Sequence, residues 1–177
     1  MMKTEKQSLW ETAKPIVVLV AICLVVSALL GVTNSITAPI IEENARIAAE
    51  ETRKAVLAGA ESFSEIDCDA AALGITGAYK EDSGKGYVIT AANKGYGGLV
   101  IVTVGLDAEG KIVGLDANVS TETSGVGSKA GREDYVNQFI GLTGDSGSVD
   151  TISNATYSST AVKTGVDAAL AAFSAIK

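Results

Sequence analysis

The chain has 177 residues and a formal net charge of −7, so it lacks the basic surplus that phosphate backbones attract, and nucleic-acid binding is disfavoured. It contains no histidine and only Cys23 and Cys68, which excludes Cys/His zinc sites and Ser-His-Asp or Cys-His nucleophilic machinery. Apolar residues reach 47% with aromatics at 5%, and 19 glycines stand against two prolines, a balance that suits a β-containing domain with tight turns.

From Pro15 to Ile41 no residue is charged, and Ser27 is the lone polar side chain between Ile16 and Val32. That run exceeds the ~20 residues a helix needs to cross a bilayer. A cleaved signal peptide is the competing reading. Pro39 directly after the candidate site Ser35-Ile36-Thr37-Ala38 disfavours cleavage, so an uncleaved anchor is expected. Lys3, Lys6 and Lys14 precede the segment, and Arg46, Arg53 and Lys54 partly offset them; the excess near the membrane places the N-terminus in the cytoplasm. The expected organisation is a short cytoplasmic N-terminus (1–14), a transmembrane helix (15–36), a helical stalk (37–60) and an extracytoplasmic domain (61–177).

Pro39 suits the first turn of a helix that runs to about Ala58 before Gly59, and continuation from the membrane helix as a stalk is the open alternative. The next stretch, Glu61 to Lys80, shows no clear period and its centre stays unassigned. "GYVITAAN", "GLVIVTVGLD" and "KIVGLDANVS" then read as strands, the last two joined at Ala108-Glu109-Gly110. "REDYVNQFIG" puts Tyr135, Val136, Phe139 and Ile140 on one helical face, and a final helix is expected from about Ser159 to Ala175, capped by Ser158 or Ser159. The fold class is α+β: an anchor helix followed by one small domain with an antiparallel sheet and flanking helices.

Two places invite chemistry. In Ser153-Asn154-Ala155-Thr156, a hydroxyl sits at the mouth of a helix, where free N–H groups and a partial positive charge favour an anion. Asn154 tolerates the left-handed backbone of a tight turn. Simple capping remains open for these hydroxyls, as does glycosylation of Asn154-Ala155-Thr156 or Asn118-Val119-Ser120. In Thr121-Glu122-Thr123-Ser124-Gly125-Val126-Gly127, close glycines admit a planar ligand near the backbone, but the loop lacks the dinucleotide fingerprint and by itself reads as a plain loop. Asp67 and Asp69 are too few for a calcium loop.

Together the motifs resemble a known family. "VDTISNATYSSTAV" resembles the flavinylation motif of FMN-binding domains, Asp-x-x-Ser/Thr-Gly-Ala-Thr, with Asp150, Ser153, Ala155 and Thr156 in register. "TETSGVG" resembles that family's Glu-Thr-x-Gly-x-Gly loop, and "GYGGLVIVTVGLDAEGKIVGL" its hairpin. With the anchor, the chain looks like the G subunits of Rnf electron-transport complexes, and it is similar to the C subunits of sodium-pumping NADH:quinone reductases. The resemblance implies FMN joined by a phosphoester to Thr156 by a separate flavin transferase that uses FAD. It further implies that Glu122, Thr123, Gly125 and Gly127 line the flavin, with Ser153, Asn154 and Ala155 shaping the attachment loop. The expected role is a non-catalytic electron carrier among other Rnf-type subunits, in ferredoxin:NAD⁺ electron transfer coupled to sodium or proton pumping. Asn154 and Tyr157 depart from the family pattern of Gly and Ser/Thr. A flavin carrier of another extracytoplasmic chain, or a cofactor-free anchored binding domain, are the alternatives.

Overall fold

The computed structural model describes residues 2–68 and 73–176, without the side chains of residues 2–10 and Thr12. The pair Asp67 and Asp69 therefore lies partly outside the described residues.

Helix α1, Met2–Val56, is 55 residues long, about 80 Å at 1.5 Å per residue. It contains the one described helix that is long and apolar enough to cross a membrane, with an 18-residue window of mean hydropathy 3.0. Its large apolar side chains are exposed all round: Ile16, Leu24 and Leu30 each show 60% or more of their surface. The stretch from Ile16 to Val32, apolar on every side, suits lipid as solvent. Pro15 and Pro39 both lie inside the helix, so the stretch from Pro39 continues from the apolar segment instead of starting at its own first turn. The hydroxyls in this stretch turn back onto their own helix: Thr33 Oγ1 donates to the Leu29 carbonyl (2.9 Å), Ser35 Oγ to Gly31 (2.8 Å) and Thr37 Oγ1 to Thr33 (3.0 Å). Each polar group is thereby satisfied without water.

The C-terminal globular unit begins at Ala49, within the last turns of α1. It carries five strands: β1 (Phe63–Glu65), β2 (Ile75–Glu81), β3 (Gly86–Lys94), β4 (Leu99–Asp107) and β5 (Ile112–Asn118). They form one antiparallel meander in the order β1-β2-β3-β4-β5. β3 and β4 pair along their whole length, from Gly86 opposite Asp107 to Lys94 opposite Leu99. The three strands legible in the sequence are β3, β4 and β5; β1 and β2 occupy the stretch that had no clear period.

The "REDYVNQFIG" segment is shorter as a helix than its pattern suggested. It forms one turn, α2 (Glu133–Val136), followed by a 3-10 turn at Asn137–Phe139. Tyr135, Val136 and Phe139 are buried, whereas Ile140 stays 41% exposed. The Ile140 backbone has already turned extended, which carries its side chain off the helical face.

Helix α3 (Thr156–Ile176) packs across β3 and β4. Val162, Val166, Ala169, Leu170 and Phe173 meet the alternate residues Val100, Val102, Val104 and Leu106 of β4, and Ile89 of β3. This joins a helical stripe of period 3.6 to a strand face of period 2, which is how a two-layer α+β core closes. Phe173 meets Tyr87 edge-on at 5.3 Å. On the opposite face, Val56, Leu57 and Ala60 pack with Val88, Phe63 and Tyr79. Gly105 and Gly114 make that seat: a Cβ on either would stand 2.2 and 2.1 Å from the Val56 carbonyl oxygen.

Candidate functional site

Helix α3 starts at Thr156, three residues before the start its pattern suggested, and neither Ser158 nor Ser159 is its N-cap. The Ser159 amide donates to the Ala155 carbonyl (2.9 Å), so the capping position is held by an alanine without a capping side chain. Ser159 Oγ instead accepts from the Ile152 amide (3.1 Å) and donates to the Ala155 carbonyl (2.9 Å), tying the preceding loop to the helix. The chain enters through Asn154 at φ 67°, the one left-handed non-glycine among the described residues. Asn is the L-residue best suited to that region, so the loop keeps its turn where a glycine would also serve. The Ala155 amide bonds back to Ile152 (3.0 Å), completing the turn.

This geometry leaves the first residue of the helix unusual. Among the described residues the Thr156 hydroxyl has no hydrogen-bond partner, and neither do the amides of Thr156, Tyr157 and Ser158. Thr156 is exposed, and the cleft beside it has a volume of about 450 Å³. Three free N–H groups at a helix start, next to an open cleft, form an anion cradle.

The same cleft is lined by Glu122, Thr123, Val126 and Gly127 from one loop, by Asn154 to Ser158 from the helix mouth, and by Tyr96 from the β3–β4 turn. Of the residues singled out in the sequence, Thr156, Glu122, Thr123, Gly127, Asn154 and Ala155 thus share one wall or another of it. Gly125 and Ser153 do not line it. Gly125 sits at φ 76° with open space around it, which makes it a turn residue. Ser153 is exposed in the loop ahead of Asn154. Asp150 is exposed as well.

Tyr96, Val126 and Ser158 were not identified as site residues from the sequence, whereas Tyr157 stood out as a departure from the family pattern. Tyr96 and Tyr157 form a rim, with ring centroids 6.4 Å apart and planes inclined by 46°. Both are more than 70% exposed, an arrangement open to a planar aromatic guest. A lone tyrosine inside Gly95-Tyr96-Gly97-Gly98 was the available signal: a large ring on a turn too glycine-rich to bury it.

Glu122 lies at the meeting point of these walls. It is 8% exposed. Its Oε2 accepts from Ser158 Oγ (2.6 Å), and its Oε1 from the Gly97 amide (3.1 Å). Burial by itself would raise its pKa; the Ser158 hydroxyl and the amides of Gly97, Gly98 and Tyr96 outweigh burial and hold it below the usual value of 4.5. Gly127 lines the cleft and also leaves room for this pair, because a Cβ there would stand 2.7 Å from Oε2 and 2.7 Å from Ser158 Oγ.

A family profile for the FMN-binding domain matches residues 95–171, a span holding every wall of the cleft. The G subunit of an ion-translocating oxidoreductase complex from Methanosarcina acetivorans is 30% identical over 167 residues, covering 86% of this chain and 89% of that one. The G subunit of a proton-translocating ferredoxin:NAD(+) oxidoreductase complex from Clostridium ljungdahlii is 23% identical over 120 residues, 66% of this chain. The match spans 62% of that relative's length. The chain belongs to the FMN-binding-domain family, among the G subunits of ion-translocating oxidoreductase complexes.

Proposed function

We propose that this protein is a membrane-anchored electron carrier whose FMN is joined to Thr156 by a phosphoester, in an Rnf-type ferredoxin:NAD⁺ oxidoreductase coupled to sodium or proton pumping. One observation carries the reading: a threonine hydroxyl without a protein partner opens a helix whose first three amides are free, at the mouth of the cleft. A hydroxyl kept for helix capping would be engaged with those amides. The residues present fit a flavin monophosphate. The helix mouth offers donors for a phosphodiester, and Tyr96 and Tyr157 offer aromatic surface at the rim.

Attachment needs a partner, a flavin transferase with FAD as donor. Thr156 Oγ1 forms the new bond to the FMN-side phosphorus, the pyrophosphate P–O bond breaks, and AMP leaves with the proton from the hydroxyl. The Thr156, Tyr157 and Ser158 amides then face an anion that the helix terminus favours. Bound flavin supplies the electron-carrying chemistry, which explains why a chain without histidine suffices. Apart from attachment, the protein's own part is to hold and orient.

The anchor sets the compartment. Lys3, Lys6 and Lys14 keep the N-terminus cytoplasmic, and the cleft-bearing domain from residue 61 onward is extracytoplasmic, after the helical stretch at 37–60. The other complex subunits are its membrane partners.

Intact mass of the full chain, co-produced with an active transferase, tests the attachment. The expected result is a gain of one FMN phosphoester that Thr156→Val abolishes without lowering the melting temperature. A gain that persists in Thr156→Val would move the acceptor elsewhere. Loss of the fold in that variant would make Thr156 structural.

A further inference from the structure

We propose that the Glu122 carboxylate and the Ser158 hydroxyl form a buried strut that sets the rotation of the first turn of α3 and so aims Thr156 into the cleft. This rests on Thr156 being the flavin acceptor, and it gives Glu122 and Ser158 a positioning role in addition to their place in the cleft wall.

Residues two apart on a helix point about 200° away from each other. Ser158 is 1% exposed and points inward, whereas Thr156 is exposed. Fixing one side chain therefore fixes the direction of the other. The fixing bond is short, 2.6 Å, and its acceptor is an ionised carboxylate, the stronger kind of hydrogen bond. It ties the first turn to the Glu122 loop without occupying the free amides, and it places a negative charge beside that turn, where the helix dipole favours one.

Both carboxylate oxygens are committed to the protein. A Cβ at Gly95 would lie 2.2 Å from Oε1 and one at Gly127 2.7 Å from Oε2, so both glycines leave room for this carboxylate. Through Oε1 the same carboxylate holds the Gly97 amide, and with it the turn that carries Tyr96 to within 6.4 Å of Tyr157. One buried anion thereby joins two loops and the start of α3, which are far apart in sequence.

The test uses the full chain in detergent with FAD and a transferase proven active on another FMN-binding domain. Ser158→Ala is compared with the unmutated chain and with Thr160→Ala, an exposed control on the same helix. Attachment rate is read by intact mass, and amide exchange is read along α3. In Ser158→Ala the attachment rate should fall about tenfold or more, the scale of losing one charge-assisted hydrogen bond. The amides of Ser159 to Ala161 should exchange faster by a similar factor, with Val166 to Phe173 unchanged. Thr160→Ala should alter neither. Attachment at the unmutated rate, or exchange that rises equally along all of α3, would overturn the strut. If the unmutated chain takes up no flavin while the transferase modifies its other substrate, the acceptor assignment fails instead. The exchange pattern then decides the strut alone: localised change keeps it, and uniform change removes it.

Discussion

Helices α1 and α3 are built from much the same residues, yet they treat their hydroxyls differently. Both draw their apolar surface mainly from aliphatic residues, Ala and Val among them. In α1 the apolar side chains are exposed, and Thr33, Ser35 and Thr37 each spend their hydroxyl on a carbonyl one turn back. In α3 the apolar stripe is buried, and the hydroxyls of the first turn diverge: Ser159 bonds back, Ser158 reaches Glu122, and Thr156 stays free. Back-bonding is what a helical hydroxyl does when nothing else is asked of it. The free hydroxyl of Thr156 therefore comes from its place at the helix start, not from a shortage of partners in general.

The contrast between the two helices is broken most forcefully in the buried stripe. Phe173→Ala should destabilise the globular unit by about 3–5 kcal/mol, read from denaturant unfolding, because it empties a packed position. Leu24→Ala, on the exposed apolar surface of α1, should leave that transition where it is. Equal effects would mean that the two helices share a solvent after all.

A smaller effect is expected where the chain turns into α3. Asn154→Val should cost about 1–2 kcal/mol, since φ 67° crowds a β-branched side chain, whereas Asn154→Gly should not destabilise. A tolerated valine would show that the turn adapts and that α3 can begin elsewhere.

The smallest effect is electrostatic. The Glu122 pKa is lower in the fold than its usual 4.5, so its stabilisation is complete above that value and is lost as pH falls through the folded pKa. Glu122→Gln should therefore reduce the drop in melting temperature between neutral pH and about pH 4. Part of the drop should survive, because Glu81, held low by the Lys85 amide and the Ser83 hydroxyl, carries the same sign. An unchanged acid-side slope would place the Glu122 carboxylate outside the acid transition.

How much of this was legible in the sequence varies by element. β3, β4 and β5 could be read because long Val/Ile-rich runs end at glycine turns, and the apolar length of α1 spoke for itself. β2 was hidden because Gly77 and a register shift between Ile75 and Gly77 interrupt its alternation. The start of α3 was misplaced for a related reason. Ser158 and Ser159 look like caps, but the cap is a backbone carbonyl on an alanine, which composition does not mark. The loops around Thr156 could be matched as motifs. The inward turn of Glu122 could not, because it depends on Ser158 and Gly97, 36 and 25 residues away.

The meander has a consequence for the order in which the molecule is made. Every strand pairs with its neighbour in sequence, so the sheet can zip from short hairpins. The cleft cannot form this way: its walls come from residue 96, residues 122–127 and residues 154–158, and the last wall arrives only when α3 docks. Its hydroxyl has these surroundings only once all three walls are in place, so the proposed flavin attachment would favour chains in which α3 has docked.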